Sequence, residues 1–122
     1  MPAERQLELP ATTLAPACAR AFLYDAWASE VGRDVLDAMG LCVSELVTNA
    51  LDHAVPPYRV RLSSCDDRHR VEVDDATTDV VPVVQPQSES QPRGRGLFLV
   101  EQLANAWGVV FEDRHKTVWA EF

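Results

Sequence analysis

From Asp34 to Tyr58 this sequence has no lysine and no arginine. The whole chain is short of cations: 11 Lys and Arg stand against 19 Asp and Glu, for a net charge of −8. Such a surface cannot neutralise a phosphate backbone, which argues against nucleic acid as a main ligand. A small phosphate compound is not excluded, because a local nest of N–H groups can hold one. Cysteine is scarce and odd in number, at three. No Cys-x-x-Cys pair and no zinc-type Cys/His spacing occurs, which excludes a disulfide framework and a zinc finger. Buried or half-buried thiols in a reducing cytoplasm are expected. No apolar run approaches the roughly 20 residues of a membrane helix. The N-terminus lacks a basic segment followed by an apolar one, so no signal peptide is expected. There is no internal repeat. What remains is 122 residues, 47% hydrophobic and 25% charged. That composition suits one soluble domain, residues 1–122, with a core that needs no staples.

Hydrophobic periodicity orders the chain. Gln6-Leu7-Glu8-Leu9 alternates and stops at Pro10, as a short strand would. Thr12 or Thr13 is a candidate cap for a helix running to about Ser29. Beyond Gly32 a second helix is expected from Arg33 or Asp34 to His53 or Ala54, ended by Pro56-Pro57. Gly40 lies inside it, where close packing or a slight bend would use it. Tyr58–Leu62 and Arg70–Asp74 alternate around the turn Asp66-Asp67-Arg68, as a hairpin. Thr77 to Arg93 has no period and contains Pro82, Pro86 and Pro92; a loop of that length is functional or mobile. A third helix is expected from Gly96 to Ala106, with Gly108 placed as its stop. Val109–Phe111 and Thr117–Ala120 close the chain as a second hairpin. Helices and hairpins are segregated. The expected fold is therefore α+β: a two-layer sandwich of a mixed or antiparallel sheet of about five strands, with three helices on one face.

Three features carry chemistry. The first is the helix around Cys42–Ala54. At about 100° per residue, Glu45, Asn49, Asp52 and His53 share one arc, while Val43, Leu46, Val47, Ala50, Leu51 and Ala54 fill the other side. A carboxylate and an amide one turn apart suit a hard divalent cation such as Mg²⁺. They equally suit a base that holds a hydroxyl and takes its proton. A merely solvated acidic face has the same pattern. The second is Asp74-Asp75-Ala76-Thr77 at a strand end, where an Asp can accept from an exocyclic amine; an Asp-rich turn looks alike. The third is Arg93-Gly94-Arg95-Gly96-Leu97 before a helix, where glycines and unpaired N–H groups make a phosphate site. It is neither a Walker loop nor a dinucleotide fingerprint.

Together these stretches resemble the GHKL ATPase superfamily, with its Bergerat ATP-binding fold. The resemblance covers nearly the whole chain. Within the superfamily the chain is similar to the small bacterial anti-sigma-factor serine/threonine kinases and their stand-alone actinobacterial ATP-binding relatives. Glu45–Ala54 resembles the first motif, which implies Glu45 as general base, Asn49 as Mg²⁺ ligand and His53 beside the nucleotide. Val71-Glu72-Val73-Asp74-Asp75 resembles the second, which implies Asp75 as acceptor for the adenine amine. Thr77 stands where the family usually has a small residue. Gly94-Arg95-Gly96-Leu97 resembles the phosphate loop, with Arg93 and Arg95 adding charge. Lys116-Thr117-Val118-Trp119 resembles the closing strand, whose Thr117 is expected to support the adenine pocket. The resemblance implies a cytoplasmic ATP-dependent serine/threonine protein kinase using ATP and Mg²⁺. Its partners would be ATP or ADP and a sigma factor or an antagonist protein, with a homodimer also compatible. A nucleotide-binding regulatory module without phosphoryl transfer is the alternative. The segment from Asp79 to Arg93 is expected to act as a lid.

Overall fold

A computed structural model of the protein describes residues 3–77 and 96–122. The elements run β1 (Ala3–Leu9), α1 (Ala15–Trp27), α2 (Arg33–His53), β2 (Tyr58–Cys65), β3 (Arg68–Asp75), α3 (Gly96–Leu103), β4 (Ala106–Phe111) and β5 (Lys116–Glu121). The strands form one sheet in the order β1-β2-β3-β5-β4, with every neighbouring pair antiparallel. The expected α+β sandwich, with three helices against a five-stranded sheet, is the fold observed.

Strand alternation divides the sheet into two unlike faces. One register row crosses all five strands: Leu7 opposite Val60, Val60 opposite Val73, Val73 opposite Val118, and Val118 opposite Val109. From this row Val60, Val73 and Val118 join Leu62, Val71 and Ala120 in the core against the helices, with Val109 packed beside them, while Leu7 on the edge strand stays exposed. The helices answer with stripes of helical period. On α1 the stripe is Ala15, Ala19, Leu23 and Trp27. On α2 it includes Leu36, Met39, Val43, Leu46, Val47 and Ala50. Leu23 and Val43 are fully buried; truncating a leucine in such a place costs about 2–5 kcal/mol.

Gly40 serves close packing. A Cβ there would sit 3.0 Å from the Tyr24 ring, so the missing side chain lets α1 lie against α2. Beside it, Arg20 donates to Ser44 Oγ at 2.7 Å, and Ser44 Oγ donates to the Gly40 carbonyl at 2.8 Å.

Three expectations are corrected. Helix α1 starts at Ala15 with Leu14 before it and no side-chain cap; Thr12 Oγ1 instead accepts from the Leu14 N–H at 3.3 Å. Helix α3 ends at Leu103, not Ala106. Gly108 does not stop that helix. It lies inside β4 opposite Trp119, where a Cβ would meet the indole at 2.8 Å. A glycine demanded by a cross-strand neighbour reads like a helix stop when it falls shortly after a helical run. The expected lid from Asp79 to Arg93 lies outside the described residues.

Candidate functional site

The two aspartates that end β3 face opposite ways, because successive strand residues do. Asp75 follows Val73 on the helix side, and Asp74 follows Glu72 on the open side. Asp75 is only 2% exposed. Its Oδ1 accepts the Thr77 N–H at 2.8 Å, and its Oδ2 stands 3.4 Å from Lys116 Nζ. Lys116 lies directly opposite on β5 and is itself 4% exposed. A carboxylate has about four lone-pair sites, so these two partners, the ones among the described residues, leave Asp75 able to accept from another donor.

The exit of β3 is tied to the exit of α2. The Ala76 N–H donates to the Val55 carbonyl at 2.8 Å, and the Val55 N–H donates to Thr77 Oγ1 at 2.7 Å. Thr77 therefore acts as a latch, and a glycine at its place would offer no hydroxyl for it. Tyr58, buried at the start of β2, donates to the Ala54 carbonyl at 3.0 Å. Burial first, and then the charge of Asp75, push its phenol above the usual range. These contacts bring the last turns of α2 to the strand end that carries Asp75. Asn49 lies on those turns, half-buried, with Glu45 one turn earlier and also half-buried. Asp52 and His53 are exposed. Cys42, one turn before Glu45, has its thiol pushed up to about 12 by burial and, next, by the Glu45 charge.

Helix α3 is the neighbour of α2 in the helical layer. It opens at Gly96 and packs against α2 through an apolar stripe that includes the buried Leu97 and Val100. The first N–H groups of any helix lack intrahelical partners. Arg93, Gly94 and Arg95 lie outside the described residues.

Thr117 is placed differently from the other expected site residues. It projects from the open face of the sheet, where Thr117 Oγ1 donates to Asp74 Oδ1 at 2.6 Å. The β5 residue beside Asp75 is Lys116. Lys116 and Tyr58 carry no motif signal that marks them as site residues. Strand pairing was the signal that finds Lys116, since residues opposite each other share a face.

Chemically, the site offers a buried acceptor, a buried cation and an amide-bearing helix end. Among the described residues no three His, Cys, Asp or Glu side chains gather to hold a metal. Mg²⁺ bound through nucleotide phosphates needs only one or two protein oxygens, and the Asn49 amide is one such group.

The model of the histidine kinase-like ATPase domain matches residues 9–122. No curated protein matches the sequence. Among solved structures, the crystal structure of the RsbU and RsbW domains of Rv1364c from Mycobacterium tuberculosis is similar, with a TM-score of 0.74 at 19% identity. The likeness covers 98% of this chain and 32% of that one, and it concerns the fold. A buried strand-end carboxylate beside the exit of an amide-bearing helix, on an antiparallel sheet backed by three helices, is thus accompanied by a family match from Leu9 to Phe122, and the chain belongs to the histidine kinase-like ATPase domain family.

Proposed function

We propose that this chain is an ATP-dependent serine/threonine protein kinase of the anti-sigma-factor type, which binds Mg-ATP and a partner protein. The observation that carries the nucleotide part is Asp75: a nearly wholly buried carboxylate, facing the helices at a strand end, with acceptor capacity to spare. It accepts the exocyclic amine of adenine. Asn49 contributes an oxygen to Mg²⁺, which offsets phosphate charge when bound. The start of α3 at Gly96 and Leu97, with Gly94, Arg93 and Arg95 before it, receives the phosphates. Glu45 takes the proton of a Ser or Thr hydroxyl on the partner; the new O–P bond forms as the bond from the γ-phosphorus to the bridging oxygen breaks and ADP leaves. Thr77 holds the adenine side through its latch to Val55.

The transfer step rests on the resemblance of Glu45–Ala54 to the kinase motif, supported by the placement of Glu45 and Asn49 one turn apart on α2. A regulatory module that binds nucleotide and holds its partner without phosphoryl transfer shares every feature but the last step. A melting shift tests the nucleotide binding that both readings share, and label transfer separates them. Saturating Mg-ATP, at a hundredfold excess over Kd, is expected to stabilise the fold by about 2.7 kcal/mol; an unchanged melting temperature refutes nucleotide binding. Glu45→Ala is expected to abolish label transfer from γ-labelled ATP to a protein antagonist while sparing ATP binding. Asn49→Ala is expected to harm both, because a metal ligand acts in the ground state as well as the transition state. Binding without any transfer by the unmodified chain selects the regulatory module.

A further inference from the structure

Lys116 calls for an explanation that the motif reading does not give. Lysine is almost never fully buried, yet this one is 4% exposed. Its ion pair with Asp75 does not account for it as a stabiliser, since desolvating two charges offsets most of what their attraction returns. The pair is also loosely closed. Nζ and Oδ2 stand 3.4 Å apart, against about 2.7–2.9 Å for a tight charge-assisted hydrogen bond. An ammonium has three donors and no acceptor, and an ionised carboxylate has only acceptors. The two heads therefore present an acceptor and a donor side by side on the helix side of the sheet.

We propose, building on the nucleotide reading of this site, that Lys116 is a second reader of the base. Asp75 accepts from the exocyclic amine of adenine, and Lys116 donates to the neighbouring ring nitrogen N1. The edge of adenine carries that amine donor and that N1 acceptor next to each other, so one flat edge meets both heads. Register supports the assignment: Asp75 and Lys116 are directly paired across β3 and β5, which holds their side chains on one face at one level. Thr117, the residue of β5 with a hydroxyl, is committed to Asp74 on the other face. Lys116 is thus a specificity-determining residue, whose effect is on the choice of base rather than on transfer.

The test is a thermodynamic cycle on binding, measured by calorimetry. Its arms are ATP and 1-deaza-ATP, in which a C–H replaces N1, against the unmodified chain and Lys116→Met. The unmodified chain is expected to bind the deaza compound about tenfold to a hundredfold more weakly, the range of a charged hydrogen bond. Lys116→Met is expected to lose a similar factor for ATP and to bind the two compounds alike. ATP binding with no discrimination by the unmodified chain overturns the role of Lys116 and leaves the nucleotide site standing. Discrimination that persists in Lys116→Met assigns N1 to another group and also overturns it. No ATP binding by the unmodified chain overturns both readings. The comparison on the unmodified chain needs no variant, so an unfolded Lys116→Met does not remove the test.

Discussion

Cys42 and Cys65 show how position alone sets the chemistry of one side chain. Cys42 lies on the inner stripe of α2 and is fully buried, with its thiol pushed up to about 12. Cys65 ends β2 and is exposed. The thiolate is the reactive form. At pH 8, iodoacetamide is expected to modify Cys65 in the native protein and to reach Cys42 only after denaturation, as read by peptide mass. Equal rates for both in the native state would contradict the burial of α2. The burial of Cys42 agrees with the expected buried or half-buried thiols, whereas the exposure of Cys65 corrects that expectation: it ends β2 beside the turn into β3, where nothing in an alternating run fixes how far the last side chain is covered. The facing of Thr117 was not legible in the sequence. Which of two adjacent strand residues looks inward depends on pairing with β3, a partner distant in sequence, and the alternation of Thr117–Ala120 alone does not fix the phase. Asp75 is preferred over Asp74 by the motif alone; the two are almost equally buried, at 2% and 4%, and differ in face and partners, Asp74 accepting from Arg59, Arg61 and Thr117.

Among the described residues the open face of the sheet is held by charge. Arg61 donates to Asp74 at 2.8 and 3.0 Å and to Glu72 at 2.9 Å, while Arg59 donates to Asp74 at 3.1 Å. Arg70 donates to Glu72 and Glu121, and its guanidinium lies 4.2 Å over the Trp119 ring. Burial by itself would raise the Asp74 carboxyl. Hydrogen bonds from Arg61, Thr117 and Arg59, with the Arg61 charge, outweigh it and hold the group below the usual carboxylate range. The sign follows. A group lowered in the folded state contributes stability above its unfolded pKa of about 3.9 and loses it as pH falls through the folded value. Urea unfolding is therefore expected to show stability flat near neutrality and declining below about pH 4. Asp74→Asn should cost about 3 kcal/mol at pH 7, as breaking a buried pair does, and flatten the acid limb. An unchanged acid limb in the variant would assign it to other carboxylates. The alternation of Arg59-Val60-Arg61 and of Arg70-Val71-Glu72 made these strands legible. Their mutual ladder was not, because it needs β2, β3 and β5 side by side.

At the scale of the molecule, local signals gave the elements and left their arrangement open. The hairpins β2–β3 and β4–β5 are neighbours in sequence and were expected. The pairings of β1 with β2 and of β3 with β5 join distant segments, and no turn announces them. They place β3 in the middle of the sheet and leave β1 and β4 as edges. Hydrogen exchange is expected to be slowest at Val71 and Val73, buried at 0% and 1% with partners on both sides, and faster along β1, most of whose residues are exposed. Equal exchange across the sheet would mean that it opens as one unit. The β3–β5 pairing has one more consequence. Asp75 and Lys116 meet only when a strand from the middle of the chain has accepted a strand from its far end. Contacts of such sequence separation form at a loop-closure cost and slow folding. A nascent chain, or one cut short of β5, holds Asp75 without its neighbour. On the nucleotide reading proposed above, recognition by this pair would then require β5 to be present and paired, and an immobilised adenine nucleotide would retain molecules that contain β5 and let those lacking it pass.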